Sequence, residues 1–203
     1  MAVIQIASVG IVNEEIMQMI VRHIEAMFGL GVEMQNFVSL PFPDYAFDEK
    51  RNQYSSTMIL RSIATLAAQS EKFLAITDVD LFIPMMTFVY GQAQLGGKLA
   101  LVSLARLKPE FYGLWPDKDL TVRRIRKEVS HELGHTFGLV HCSDRSCLMS
   151  LSTEIMQVDL KSENFCKTCW LNLEDGLKKL SAGSSQRSVK NSYPLAAKME
   201  MKK

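Results

Sequence analysis

The sequence predicts an α/β fold in which helices pack on a parallel, twisted sheet. The first observation is that strand-like and helical segments alternate over residues 3–77 in the β-α-β-α-β order of a parallel sheet. The second is a glycine hairpin after these segments, which adds an antiparallel strand. The third is the length of 203 residues, which suits one domain with a sizeable core and a small appendage.

Hydrophobic periodicity and helix-breaking residues define the alternating segments. The strand-like segments are short and apolar or alternate between apolar and polar residues, whereas the helical ones place apolar residues on one face. Gly29 and Gly31 end the first helix, and Pro41 breaks the pattern after the second strand. The five segments are predicted as strand 3–9, helix 13–28, strand 32–39, helix 54–69 and strand 73–77.

A glycine hairpin follows the third strand. Residues 88–94 and 98–103 flank Leu95-Gly96-Gly97, which is a hairpin signal. Because a hairpin joins antiparallel strands, one of its strands runs against the parallel set. We expect that strand at an edge of the sheet.

The remaining elements are a long helix and a small C-terminal part. Asp117 can cap a helix that runs to about Gly138. Residues 142–169 are predicted as a compact, loop-rich stretch and residues 170–180 as a short final helix. From Ser181 onward serine, glycine and lysine dominate, and this basic tail is expected to be solvated.

The composition narrows the classes of partner. The formal net charge is +1, from 23 basic and 22 acidic side chains, which argues against nucleic-acid binding through a clustered basic face. No stretch approaches the roughly 18 apolar residues of a membrane span, so no membrane partner is expected. The N-terminus lacks the basic start of a secretory signal, so we expect a cytoplasmic location. We also expect a monomer.

An H-E-x-x-H motif, His131-Glu132-Leu133-Gly134-His135, lies within the predicted long helix. At about 100° per residue, His131 and His135 project about 40° apart on one face, close enough to share a metal ion. Glu132 points about 100° away from His131 and so lies beside the metal, as a general base does. Leu133 extends the apolar stripe that holds the helix against the core.

The motif continues through Gly138 to His141, giving H-E-x-x-H-x-x-G-x-x-H. A straight helix would carry residue 141 out of reach of the other two histidines. A glycine can adopt positive φ and end the helix, so Gly138 lets the chain double back and deliver a third imidazole. Three neutral imidazole nitrogens leave one coordination position open for water, as a catalytic zinc ion requires.

Coincidence is the alternative explanation of the histidines. A bare H-E-x-x-H occurs by chance on ordinary helices, where such histidines are solvated or pair with carboxylates. The extended motif fixes five positions over eleven residues, which favours a metal site. The fourth histidine, His23, has no partner in the sequence and is interpreted as structural or solvated.

Four cysteines, the only ones in the chain, follow the histidine motif: Cys142, Cys147, Cys166 and Cys169. They form C-x4-C and C-x2-C pairs eighteen residues apart, close to the spacing of a structural zinc site with four thiolates. Disulfides are an alternative that a cytosolic chain disfavours. A redox pair of the thioredoxin kind at Cys166 and Cys169 is another, but it leaves Cys142 and Cys147 unexplained. Because Cys142 directly follows His141, we expect the two metal sites to be mechanically coupled.

With both motifs described, the sequence closely resembles the archaemetzincins, a family that joins the extended histidine motif directly to a cysteine cluster. The matching stretches are HELGHTFGLVHC, then SDRSCLM, then FCKTC. Residues 45–60, 75–91 and 106–113 also look like family segments, and the resemblance covers nearly everything from residue 3 to about residue 180.

The resemblance implies a metzincin-like fold: a twisted five-stranded mixed sheet, a backing helix, an active-site helix and a small C-terminal subdomain stabilised by zinc. It divides the chain into residues 1–138 with the sheet and active-site helix, residues 139–180 with the third histidine and the cysteine site, and the tail 181–203. It also implies that Met149 forms the Met-turn beneath the histidines. No tyrosine follows Met149 closely, unlike in some metzincins, so any further oxyanion-stabilising group lies elsewhere.

The function implied is a zinc metallopeptidase that hydrolyses peptide or protein substrates. His131, His135 and His141 would hold a catalytic zinc ion, the four cysteines a structural one, and Glu132 would act as general base, giving two zinc ions per chain. The alternative is a catalytically weak or inactive metzincin scaffold that binds peptides; the intact Glu132 argues against it. Zinc-dependent nucleic-acid binding through the cysteines is disfavoured because only Arg145 and Lys161 are basic between Cys142 and Cys166.

Overall fold

A five-stranded mixed sheet forms the centre of the computed structural model, which describes residues 3–34 and 40–190, with the backbone alone at residues 69 and 182–190. Its strands are β1 (Val3–Val9), β2 (Gly31–Met34), β5 (Lys72–Thr77), β8 (Gly91–Ala93) and β9 (Leu99–Ser103). They lie in the order β2-β1-β5-β9-β8. Strands β2, β1, β5 and β9 are parallel, and β8 pairs antiparallel with β9 at the edge. The predicted mixed sheet is therefore confirmed.

Helices cover both faces of this sheet. Helices α1 (Glu14–Phe28) and α3 (Lys118–Thr136) share a buried apolar cluster with one face, and α2 (Ser56–Ile63) contributes to the cluster on the other. Side chains of β5 alternate between the two clusters, as the period of a strand requires: Leu74 and Ile76 join the first, Phe73 and Ala75 the second. The helix with the histidine motif is thus anchored on a layered core.

A second sheet, which the sequence did not predict, lies before the edge strand. Its order is β3-β4-β6-β7, from β3 (Phe47–Asp48), β4 (Gln53–Ser55), β6 (Leu81–Ile83) and β7 (Met86–Val89). The predicted single strand 88–94 is therefore wrong, because these residues belong to two strands in different sheets. The chain leaves the second sheet after Val89 and enters the first at Gly91, with Tyr90 as the joint.

Two further predictions differ from the structure. Predicted helix 54–69 begins too early, because residues 53–55 are a strand and the Ser55 hydroxyl caps α2 by accepting from the Met58 N–H at 3.4 Å. Its last residues, Leu66–Gln69, form a separate 3-10 turn. The predicted strand 32–39 is present as Gly31–Met34, and its remaining residues lie outside the described part of the chain.

The C-terminal part contains two helices, α4 (Ile155–Leu160) and α5 (Lys167–Lys190). The sequence did not predict α4, and α5 is longer than the predicted helix 170–180. It continues into the predicted basic tail because no proline interrupts residues 167–190 and an isolated glycine in a helix costs only about 1 kcal/mol. Residues 191–203 of that tail lie outside the described residues. Within the described ranges, no helix is both long and apolar enough to cross a membrane.

Candidate active site

Three histidines converge at the end of α3. The ring centroids of His131 and His135 are 4.7 Å apart, and His141 lies 5.3 Å from the first ring and 4.9 Å from the second. One ring nitrogen from each residue can be chosen so that all lie within 4.8 Å of one another. The structure therefore brings the three predicted metal ligands together.

A turn after α3 delivers the third histidine. The helix ends at Thr136, and Gly138 has a φ of 93°, a backbone conformation that side chains rarely allow. The Leu139 N–H donates to the Gly134 carbonyl at 3.1 Å, which closes the turn. The chain then runs back along the helix end and places His141 opposite His135.

Two backbone carbonyls fix the orientation of the helical histidines. Nδ1 of His131 lies 3.0 Å from the Leu148 oxygen, and Nδ1 of His135 lies 2.7 Å from the Leu139 oxygen. A carbonyl oxygen can only accept, so each Nδ1 carries the hydrogen and each Nε2 presents a lone pair. The two Nε2 atoms lie 3.1 Å apart. Two lone pairs held this close are stabilised by a cation, and a set of three imidazoles is one that zinc prefers.

Desolvation favours the neutral form of these imidazoles, although His131 is buried and His141 is exposed. Desolvation is the largest cause that lowers the pKa of His131, His135 and His141, and for His131 the nearby Lys161 ammonium lowers it further. A neutral imidazole is the form that binds a metal ion. Hydrogen bonding and electrostatics therefore favour the same protonation state.

Glu132 lies between α3 and the backbone of β8, and only 6% of it is exposed. Burial raises the pKa of its carboxyl well above the usual range, and the Glu128 carboxylate raises it further. A Cβ added at Gly91 would lie 2.6 Å from Glu132 Cγ and 2.7 Å from its Oε1. Gly91 therefore provides the space that the Glu132 side chain occupies. Gly91 is not among the predicted site residues, although a lone glycine within a predicted strand signals close approach.

Met149 is fully buried and packs against α3 at Gly134. A Cβ added at Gly134 would lie 2.7 Å from Met149 Sδ. Gly134, within the H-E-x-x-H motif, is thus the point where methionine and helix approach each other. Gly134 was not predicted to have a packing role. The signal for one is a glycine in a helix interior, which is unfavourable unless packing requires it.

The four cysteines form a second cluster, with all four sulfur atoms within 4.8 Å of one another. None of them forms a disulfide. Hydrogen bonding from the Cys169 backbone N–H lowers the pKa of the Cys166 thiol to about 7, whereas burial raises the pKa of the Cys147 and Cys169 thiols. Four thiols at this spacing fit a closed zinc site.

The two clusters share one stretch of backbone. The Cys142 N–H donates to the Met149 carbonyl at 2.9 Å, and Cys147 Sγ accepts from the Met149 N–H at 3.4 Å. Leu148, whose carbonyl orients His131, lies between Cys147 and Met149. Hydrogen bonds therefore connect the cysteine loop to Met149, and the residue between Cys147 and Met149 orients His131.

A cleft of about 370 Å³ opens at the histidines. Strand β8 and Val140 line it together with Leu151 and Thr153, which follow the methionine. Its lining also includes an ion pair, Glu128 Oε1 to Lys161 Nζ at 2.7 Å, whose side chains are 4% and 0% exposed. This ion pair could not be predicted from the sequence, because its members are far apart in the chain and belong to no motif.

Basic side chains of α3 hold the wall of this cleft in place. Arg124 Nε and Nη2 each lie 2.7 Å from a carboxylate oxygen of Asp159. Lys127 Nζ donates to the Val158 and Asp159 carbonyls, both at 2.9 Å, near the C-terminal end of α4. The segment around α4 is thereby fixed to the helix that carries the site.

His23 packs behind the active-site helix. Its Nε2 lies 2.8 Å from the Ser130 hydroxyl oxygen, and burial lowers the pKa of its imidazole to about 4. Of the two interpretations made from the sequence, structural or solvated, the contact supports the structural one.

Comparison with known proteins gives consistent matches. The sequence model of peptidase family M54 matches residues 10–175. The archaemetzincin of Methanocaldococcus jannaschii is 42% identical over 170 residues, which are 84% of this chain and 92% of that protein. The crystal structure of archaemetzincin from Methanopyrus kandleri superposes with a TM-score of 0.75 at 34% identity, covering 87% of this chain and 96% of that one. That of the Archaeoglobus fulgidus archaemetzincin, complexed with malonate, has a TM-score of 0.73 at 30% identity, covering 84% and 99%.

Proposed function

The chain belongs to peptidase family M54, the archaemetzincins, and is a zinc metallopeptidase; from that premise we propose that it hydrolyses peptide bonds with Glu132 as general base. We assign the catalytic zinc to His131, His135 and His141. The observation that carries this assignment is the pair of Nε2 lone pairs held 3.1 Å apart by two backbone carbonyls. Two lone pairs at this separation repel each other unless a cation lies between them.

Glu132 is suited to move a proton beside this site. Zinc, when bound, lowers the pKa of a bound water and polarises the scissile carbonyl. The Glu132 carboxylate would take the proton of the attacking water and pass it to the departing amine. Its close approach to the Gly91 backbone limits the space in which the carboxyl can move.

The substrate would lie extended along β8. This strand is an edge of the five-stranded sheet, and all three of its residues line the cleft. An extended peptide can add to such an edge through backbone hydrogen bonds, antiparallel to the strand. The scissile bond would then pass in front of the histidines and Glu132.

The C-terminal part would support the site from behind. We propose a second, structural zinc ion at Cys142, Cys147, Cys166 and Cys169, giving two zinc ions per chain. In this assignment residues 1–138 carry the sheet and the active-site helix, and residues 139–180 form a subdomain. Gly138 would form the turn between these two parts of the chain, and Met149 would lie beneath the histidines as the methionine of the Met-turn.

The test compares wild type, Glu132→Ala, the exposed control Glu25→Ala and chelated wild type on a peptide library, with mass spectrometry of the products. We expect cleavage by wild type and the control only. Zinc content, measured in parallel, should be equal in Glu132→Ala and wild type. Cleavage by Glu132→Ala would contradict the assignment of the base. Binding without cleavage by wild type would favour the alternative of a peptide-binding module.

A further inference from the structure

A second groove, of about 320 Å³, adjoins the catalytic cleft. It lies between the cysteine loop and α4 and is lined by Arg145, Ser150, Leu151, Thr153, Gln157 and Leu160. Leu151 and Thr153 also line the catalytic cleft, so the two depressions meet at these residues. A peptide bound in the cleft can therefore extend into this second depression, which we call the arginine groove.

Arg145 provides the positive charge of the arginine groove, and its side chain is exposed. Among the side chains that the structure describes, none forms an ion pair or a hydrogen bond with its guanidinium. The adjacent Asp144 carboxylate accepts instead from the N–H and the hydroxyl of Ser146, at 2.9 and 2.7 Å. A guanidinium has five N–H donors, so all five of Arg145 are open to a ligand.

Gln157 provides a second donor, and a hydrogen bond fixes its orientation. Its Oε1 accepts from the Thr153 N–H at 2.7 Å. A backbone N–H can only donate, so the side-chain oxygen faces Thr153 and the NH2 group is turned away from it. No partner for that NH2 group is found in the described part of the chain. The arginine groove therefore presents two unused donors, one of them charged.

The chemistry of this lining fits a carboxylate. A guanidinium binds a carboxylate through two parallel N–H···O bonds, and an amide NH2 group can donate to the same oxygens. No acidic side chain is found among the described residues that line the groove, so nothing there repels an anion. Leu151 and Leu160, which are 54% and 79% exposed, offer apolar contact to the CH2 groups that precede a carboxylate. A basic side chain would meet the like charge of Arg145.

Resting on the proposed peptidase function, we propose that Arg145 and Gln157 determine specificity by binding a carboxylate of the substrate in the arginine groove. The carboxylate comes from an aspartate or glutamate side chain or from the C-terminus of the peptide, since both present the same group. The preference over the matching amide is about threefold to fivefold, because an ion pair exposed to solvent contributes only modestly.

The test uses binding, so that it does not depend on turnover. Zinc-loaded Glu132→Ala protein is offered two randomised hexapeptide libraries, one with a free and one with an amidated C-terminus, and the retained peptides are sequenced by mass spectrometry. Selection through a side chain should enrich aspartate and glutamate over asparagine and glutamine in both libraries. Selection through the chain end should favour the free library instead. Either preference should shrink at about 1 M salt, which screens exposed charges.

Variants of the two donors, made in the same background, give graded expectations. Arg145→Gln should remove the acidic preference, and Arg145→Glu should reverse it toward lysine and arginine. Gln157→Glu keeps an oxygen for the Thr153 N–H but replaces the NH2 group by a negative charge, so it should weaken the preference. Arg22→Glu is the matched control, because this exposed arginine on α1 lines neither the cleft nor the arginine groove. Zinc content equal to that of the Glu132→Ala protein shows that the cysteine loop is intact in each variant.

The outcomes separate this inference from the proposed function when the cleavage products of wild type are profiled in parallel. Acidic selection that reverses in Arg145→Glu, without any cleavage by wild type, would support the inference and contradict the proposed hydrolysis. Cleavage without an acidic preference, or with one that Arg145→Glu leaves unchanged, would support hydrolysis and overturn the inference. Selection that ignores charge, or no retained peptide, would also overturn it.

Discussion

Replacing Gly91 by alanine is expected to impair catalysis without removing the metal. The added Cβ would lie 2.6 Å from Glu132 Cγ, whereas an ordinary carbon contact is about 3.5 Å or longer. The Leu101 carbonyl, 2.7 Å from the same Cβ, blocks escape toward the sheet. The Glu132 side chain must therefore move by about 1 Å. A displacement of this size costs about 100-fold in rate, or about 2.7 kcal/mol of transition-state stabilisation.

The assay for Gly91→Ala is the rate of cleavage of a peptide substrate, measured together with zinc content and thermal stability. The loss should appear in kcat, with zinc content unchanged. Gly31→Ala is the matched control, because this glycine also lies in an edge strand and a Cβ there meets nothing within 4 Å.

A stability measurement checks the same contact without activity. Overpacking should make Gly91→Ala about 1–3 kcal/mol less stable than wild type. In a Glu132→Ala background part of this cost should disappear, because the Cγ and Oε1 atoms are gone. Wild-type kcat in Gly91→Ala, or a stability cost independent of residue 132, would refute the reasoning.

Three further predictions concern the surroundings of the site. Gly134→Ala should lower the free energy of unfolding by about 1–3 kcal/mol in urea titrations, although alanine favours a helix, because its Cβ would meet Met149 Sδ at 2.7 Å; a gain in stability would contradict this packing. Cys166→Ser should weaken catalytic zinc binding as well, measured by competition with a chelator, and unchanged affinity would disprove coupling between the two clusters. In the folded protein His23 has a pKa of about 4, below its ordinary value of 6.5. Between pH 6.5 and pH 4 the unfolded chain therefore binds more protons at this residue than the folded protein does, and the free energy of unfolding falls as the pH falls. From pH 7 to pH 5 wild type should lose up to about 2 kcal/mol more than His23→Gln, and equal losses in urea titrations would contradict this.

The parts of the fold that could be predicted are those determined by residues close together in the sequence. Strand β1 and helix α1 follow from hydrophobic periodicity and from Asn13 and Gly29, which cap the helix at its two ends. The histidine and cysteine clusters were predictable for the same reason. Their members lie within short motifs, and Gly138 carries the turn that brings His141 back.

The parts that could not be predicted depend on contacts between distant segments. The second sheet consists of strands of two to four residues, too short for periodicity to identify. The role of Gly91 depends on its contact with Glu132, which lies on α3 and is distant in the sequence. Glu128 and Lys161 lie on separate segments of the chain and meet only in the fold, where basic side chains of α3 contact α4. The wrong start of helix 54–69 has a local cause, since Ser55 is compatible with a helix but serves here as its cap.

The brevity of β8 has a consequence for which proteins can be substrates. It contains three residues, so a peptide that pairs with it aligns over only about 10 Å of backbone. Under the proposed pairing, so short a ladder would contribute few backbone hydrogen bonds toward opening a helix or a sheet in a target protein. Substrates would then be expected among segments that are already extended, such as loops and chain ends, and compact folded proteins would be cleaved slowly.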